Sequence, residues 1–249
     1  MTDQERSKPR RIVGTRLHDM DTLDRVRMRE WCRHVLDYAD AILIAADNSC
    51  YLPLCDKLGD YQSRVTILLV EPWLGFTHPL NTLVEKALFD GASELVLQSS
   101  EVWMEKSGIK AMSRHLGEDT LVVGARMSNT HADSTGVVPL TGLTSPWNTM
   151  ALWNLDKLAK TGFLTVSGGL LAGVPGGMEE VVTISLLQYI DSNCLAKVLA
   201  VPGLYWAIDC MNAERKLLHE AKMKSKYPRA EQQLKYLGVP RGSVVIFST

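Results

Sequence analysis

Three places in this chain put carboxylates at the ends of apolar runs. Asp47 follows "AILIAA". Glu101 follows "ELVLQSS". Glu179 and Glu180 follow the glycine-rich "GGM" and open a helical pattern. Acids so placed can hold a hard divalent cation, accept hydrogen bonds from an amide, or take a proton from a hydroxyl. Each also has an ordinary alternative. Asp47 can cap a turn with Asn48 and Ser49, and Glu179-Glu180 can offset a helix dipole. Arg126 ends "VVGAR" and can bind a phosphate through two N–H groups or form a surface salt bridge. His131 and Asp133 lie in a long polar loop and could reach a phosphate or a metal, although a lone loop histidine is ordinarily solvated.

The elements that must position these groups follow from hydrophobic periodicity. "RRIVGTRL" predicts a first strand. "DTLDRVRMREWCRHVLDYA" predicts an amphipathic helix through Leu23, Val26, Trp31, Val35 and Leu36. "DAILIAAD" and "VTILLVEP" predict buried strands. "HPLNTLVEKALFDGA" predicts a helix, with Pro79 in its first turn and Gly91 past its end. "ELVL" predicts a strand, "KSGIKAMSRHLG" a helix and "DTLVVGARM" a strand. "SNTHADSTGVVPLTGLTSPWNTMAL" predicts a long polar connection of the functional or mobile kind. "ALWNLDKLAKTG" predicts a helix. "SGGLLAGVPGG", with five glycines in eleven residues, predicts a tight or flexible turn into the helix "MEEVVTISLLQYIDS". "AKVLAVPGLYWAI" predicts a strand turning at Pro202-Gly203, and the charged C-terminal segment a helix broken near Pro228.

Alternating strand and helix imply an α/β fold with a doubly wound, mostly parallel sheet and ligands at the strand ends. The expected organisation is a disordered polar tail over 1–10, one domain over 11–210 and a helical extension over 211–249.

Composition narrows the function. The chain has 249 residues, 46% apolar and 22% charged, enough to bury a full core. A net charge of -1 gives no electrostatic case for nucleic acid or an anionic membrane as the main partner. The five cysteines form no CxxC pair, so reduced, packed thiols in a cytoplasmic protein are expected rather than a zinc site. "MTDQERSKPRR" lacks the apolar core of a secretory signal, and no run approaches the length of a membrane span. No GxGxxG follows the first strand and no GxxxxGK[ST] occurs. A nucleotidyltransferase would carry a glycine-rich basic loop after that strand, whereas "VGTRLHD" holds one glycine.

The order of these features resembles the family-2 glycosyltransferases of the GT-A fold over roughly Arg11 to Ile208. "ADNS" at Asp47 is similar to the family's strand-end aspartates. "GFTHPLN", Gly75 to Asn81, is similar to its Gly-x-x-x-Ala-x-Asn. "GASELVLQSSE", Gly91 to Glu101, is similar to its Gly-Ala-(apolar)-Asp-x-Asp. "LWNLDKLAKTGF" and Glu179-Glu180 resemble its later basic-glycine and Glu-Asp motifs. The matches are loose, and their order carries the resemblance.

The resemblance implies transfer of a sugar from a UDP- or GDP-sugar to an acceptor hydroxyl, with inversion and with Mg²⁺ or Mn²⁺. It implies nucleotide contacts at Thr15, Arg16, Asp47, Asn81 and Ser99, metal ligation at Glu101 and Asp209, and catalysis at Glu180 beside Glu179. Trp147, in the polar loop, and Arg126 would contact sugar or acceptor. Ser99 stands where the first metal-motif aspartate would be; a hydroxyl can bind ribose or a metal-bound water but brings no charge. A lipid-linked acceptor would require peripheral membrane contact. The alternative is a relative of the same fold that binds a nucleotide sugar or a partner without turnover.

Overall fold

The computed structural model describes residues 9–18, 25–61, 63–127, 131–206 and 213–247. In chain order the elements are β1 (Arg11–Leu17), α1 (Arg25–Val35), β2 (Ala41–Ala46), α2 (Asn48–Leu58), β3 (Val65–Leu69), α3 (Thr77–Phe89), β4 (Glu94–Gln98), β5 (Val102–Met104) and α4 (Lys106–His115). Then come β6 (Thr120–Ala125), β7 (Gly136–Pro139), β8 (Met150–Asn154), α5 (Leu155–Leu158), α6 (Glu179–Ile190), β9 (Leu195–Leu199), β10 (Leu204–Trp206), α7 (Ala213–Leu237) and β11 (Ser243–Ile246).

Nine strands form one mixed sheet in the order β3-β2-β1-β4-β8-β6-β9-β11-β7, flanked by the helices, and β5 pairs with β10 apart from it. β3, β2, β1 and β4 are mutually parallel, as are β6, β9 and β11. The expected doubly wound α/β sheet is therefore present. Its central strands are continuous apolar runs because helices cover both faces. Ile12, Val13, Ile42, Leu43, Ile44, Leu95, Val96, Val122 and Val123 are all buried. The parallel strands β1, β2 and β4 end at one edge of the sheet, which positions Arg16, Asp47 and Ser99 together.

Three elements differ from expectation. "ALWN" is not helical: β8 lies antiparallel between β4 and β6, and the helix shrinks to α5. Met150, Ala151, Leu152 and Trp153 are all buried, and a short apolar run reads equally as strand or helix until its neighbours are known. Asn154 then caps α5 by accepting from the Lys157 amide. "AKVLAVPGLYW" is two strands in two different sheets. Helix α7 runs unbroken through Pro228, with Arg229, Ala230, Gln233 and Leu234 packed inward; that packing offsets the one backbone bond a helical proline loses. The segment after residue 210 also supplies β11, which enters the main sheet between β9 and β7. Helix α2 and the strands β5, β7 and β11 lie in stretches whose apolar patterns are too short to mark them in sequence. Among the described residues, no helix is long and apolar enough to cross a membrane.

Candidate active site

The site is built outward from the strand ends. Thr15 is buried near the end of β1. Arg16 beside it reaches away from the sheet. Its Nη1 donates to the Phe76 carbonyl at 2.6 Å and its Nη2 to Glu179 Oε1 at 2.7 Å. One guanidinium thus ties β1 to the start of α3 and to the N-terminus of α6.

Asp47 follows β2 and caps α2. Its Oδ1 accepts from the Cys50 amide at 3.0 Å and from Ser49 Oγ at 2.8 Å. Burial pushes its pKa up, but these hydrogen bonds and nearby His18 outweigh burial, and the net shift is downward. Both the capping alternative and a fixed, ionised carboxylate at the strand end are therefore realised. His18 and Trp73, absent from the sequence expectations, stack beside this end of the sheet with ring centroids 5.5 Å apart. Their signal in the sequence is position alone: each follows the end of a strand.

The turn after β4 separates a buried scaffold residue from half-buried side chains. Gln98 is buried, accepting from Tyr38 Oη at 2.7 Å and donating to the Val102 carbonyl at 2.9 Å. The Ser99 amide donates to the Thr149 carbonyl, and its own carbonyl accepts from Val102. That leaves the Ser99 and Glu101 side chains half-buried at the turn. Among the described residues, no three His, Cys, Asp or Glu side chains gather closely enough to hold a metal. Asp209 lies outside the described residues. A single hard carboxylate at Glu101 fits Mg²⁺ or Mn²⁺ where substrate phosphates supply the other ligands.

Asn81 is committed within the fold. Its Nδ2 donates to the Phe163 carbonyl at 2.9 Å and its Oδ1 accepts from the Phe163 amide at 2.7 Å. Asn81→Ala leaves both backbone groups unpaired and is expected to lower stability by about 1–3 kcal/mol. Urea unfolding measures the loss, and an unchanged midpoint would refute the bridge.

Trp147 is 1% exposed, so its ring is not open to a sugar face. Its Nε1 donates to the Gly142 carbonyl at 2.9 Å, and His131 stacks on it at 4.0 Å. His131 is half-buried, with both ring nitrogens engaged by the protein. It accepts from the Met127 amide, contacts the Ser145 carbonyl, and burial pushes its pKa down to about 4. Arg126 realises its alternative reading, pairing with Asp133 at 3.0 Å and with the Ala132 carbonyl.

The centre of the constellation is the acid pair. Glu179 is 3% exposed and Glu180 5%. They follow Met178, which takes the left-handed conformation at φ 63° and turns the chain abruptly into α6. Glu180 Oε1 accepts from the Asn148 amide at 2.9 Å. No described group hydrogen-bonds its buried Oε2. Burial, then the adjacent Glu179 charge, raise its pKa to about 6, against the opposing pull of Lys226 and the Asn148 amide.

Three side chains of α7 support this region, and none was expected from sequence. Lys226, Arg229 and Gln233 recur at helical spacing on one face. Gln233 Nε2 donates to the Pro175 and Gly177 carbonyls, both at 2.6 Å, and Arg229 Nη1 to the Gly176 carbonyl at 3.0 Å. Together they strap down the glycine-rich turn that delivers the acid pair. Beside them a groove of about 580 Å³ runs between Gly173–Pro175 and Ser225–Gln232.

No family model and no curated protein matches this sequence. Solved structures do. Glucosyl-3-phosphoglycerate synthase of Mycobacterium tuberculosis, solved with Mn²⁺, uridine diphosphate and phosphoglyceric acid, aligns at TM-score 0.56 and 10% identity, covering 97% of this chain and 88% of that one. TarS of S. aureus aligns at TM-score 0.54 and 13% identity, covering 80% of this chain. This chain spans 36% of that TarS chain. At such identities the likeness speaks to architecture, and the architecture is that of a GT-A glycosyltransferase fold.

Proposed function

We propose that this protein is a glycosyltransferase that moves a sugar from a nucleotide-diphosphate donor to an acceptor hydroxyl. The observation that carries this reading is the buried Glu179-Glu180 pair, held by Arg16 against the strand-end edge of a GT-A sheet. Asp47 and the His18–Trp73 stack would receive the base, with Thr15 and Ser99 near the ribose. Glu101, with Asp209, would hold Mg²⁺ or Mn²⁺ on the donor diphosphate. That cation would stabilise the charge on the departing diphosphate as a Lewis acid. Structures of the mycobacterial synthase with uridine diphosphate and either Mn²⁺ or Mg²⁺ support a UDP-sugar and a divalent cation here.

Glu180 takes the proton from the acceptor hydroxyl. A carboxyl with a pKa raised to about 6 is mostly ionised at neutral pH and more basic than an exposed glutamate. The acceptor oxygen then attacks the anomeric carbon opposite the diphosphate. The C–O bond to the diphosphate breaks with its electron pair, and the configuration inverts.

A second reading has its own observation. The turn after β4 offers one carboxylate where a pair would ligate metal more firmly, as expected of a binding protein without turnover. A panel of UDP- and GDP-sugars, assayed for binding and hydrolysis with and without Mn²⁺, separates the two. Glycosyltransfer predicts hydrolysis or transfer with at least one donor. Glu101→Ala should raise the Mn²⁺ required roughly tenfold or more. Binding without turnover favours the second reading, and no binding at any Mn²⁺ concentration defeats glycosyltransfer and nucleotide-sugar binding alike.

A further inference from the structure

We propose that Lys226 on α7 is a positioning residue for Glu180, its buried ammonium supplying the positive charge that keeps this carboxylate ionised in a buried site. The proposal rests on the reading of Glu180 as the base and deepens it.

Lys226 is 6% exposed, and burying an ammonium is costly unless something nearby compensates. Two features do. Its Nζ sits 3.1 Å from the centroid of the Trp147 ring, a cation–π seat made stronger by burial. The adjoining residue, Asn148, donates its amide to Glu180 Oε1. The short segment Trp147-Asn148 therefore holds the cation with one residue and the carboxylate with the next.

The seat is rigid. The Trp147 indole is pinned to the Gly142 carbonyl, and Gly142 packs directly on the Lys226 backbone: a Cβ there would lie 2.2 Å from the Lys226 carbonyl oxygen. Loop and helix are thereby fixed in register.

The other charges facing Glu180 do different work. Glu179, on the same helix, opposes its ionisation, and Arg16 on β1 is bonded to Glu179. Arg229 lies in the field of both acids but donates to the Gly176 and Ser225 carbonyls, holding the turn. Lys226 acts on Glu180 against burial from the Trp147-Asn148 side.

The test is a ¹³C NMR titration of the full chain labelled at glutamate carboxyls, with the Glu180 signal assigned by Glu180→Gln. In the wild type this signal should titrate near pH 6. In Lys226→Met, an apolar replacement of similar length, the midpoint should rise by about one pH unit or more. In Lys226→Arg it should stay close to wild type, because charge rather than shape is what counts. An unchanged midpoint in a cooperatively folded Lys226→Met protein overturns the proposal, as does an equal shift in Lys226→Arg. If Lys226→Met does not fold, Lys226→Gln is titrated with the same two outcomes. The readout needs no donor. If Glu180→Gln retained full transfer, the base reading would fall while the measured coupling stood.

Discussion

Glu180→Gln is expected to reduce sugar transfer by about 10²- to 10⁴-fold while leaving donor affinity near wild type. The replacement keeps the shape and can still accept the Asn148 amide through its carbonyl oxygen, so the α6 entry should survive. What it removes is the ability to take a proton. Transfer assays beside isothermal titration of the donor measure the two effects separately, and a variant that still transfers at the wild-type rate would sink the assignment.

The same substitution has a signature in stability. A carboxyl whose folded pKa stands near 6, above its unfolded value, binds a proton more tightly in the native state. Its contribution to stability is therefore complete at low pH and lost as pH rises through that window. The unfolding free energy of the wild type should fall, relative to Glu180→Gln, by about 2 kcal/mol between pH 4 and pH 7. A difference that stays flat across that range would show that Glu180 is not held in an unfavourable environment. The site would thus trade stability for basicity, a known pattern at catalytic centres.

Arg16→Met is the second large effect. It strips the 2.7 Å ion pair from Glu179, which is buried, and removes a donor from the Phe76 carbonyl. Because Arg16 itself is only half-buried, the expected loss is about 1–3 kcal/mol rather than that of a fully enclosed pair. The change leaves the buried Glu179 carboxylate without the guanidinium that bonds it. Transfer should fall as well, because Arg16 ties the acid pair to β1 and to the start of α3. Denaturant unfolding of wild type and variant at neutral pH measures the loss; an unchanged midpoint would mean that the ion pair adds nothing to stability.

The sequence made part of this site legible. Strand-then-acid patterns at Asp47 and Glu101, and the glycine-rich approach to Glu179-Glu180, are local features that a strand or helix end forces on a chain. The parallel half of the sheet was readable because β1, β2 and β4 each carry a short apolar run, with helical periodicity between them. The antiparallel β8 was not, since "MALW" has no period of its own and takes its strand conformation from β4 and β6 on either side. The α7 residues were hidden for a related reason. In a helix crowded with Lys, Arg, Glu and Gln, the charged positions read as a solvated face. Only the buried Ala230 and Leu234, on the same side as Lys226, Arg229 and Gln233, mark that face as inward. Asn81 and Trp147 show the converse: residue types suited to ligands, spent on holding Phe163 and Lys226.

The position of β11 has a consequence for how the molecule is made. Strand β7, over Gly136–Pro139, pairs in the sheet through β11 and so has no partner there until residues 243–246 exist. At ordinary translation rates, the hundred or so residues between them take about 5–20 s to synthesise. Strand β9 appears partway through that interval and then presents an open edge for about 2–9 s, the kind of surface that recruits stray strands. The last stretch described is thus the keystone, and the nascent chain stays exposed to mispairing until that stretch arrives.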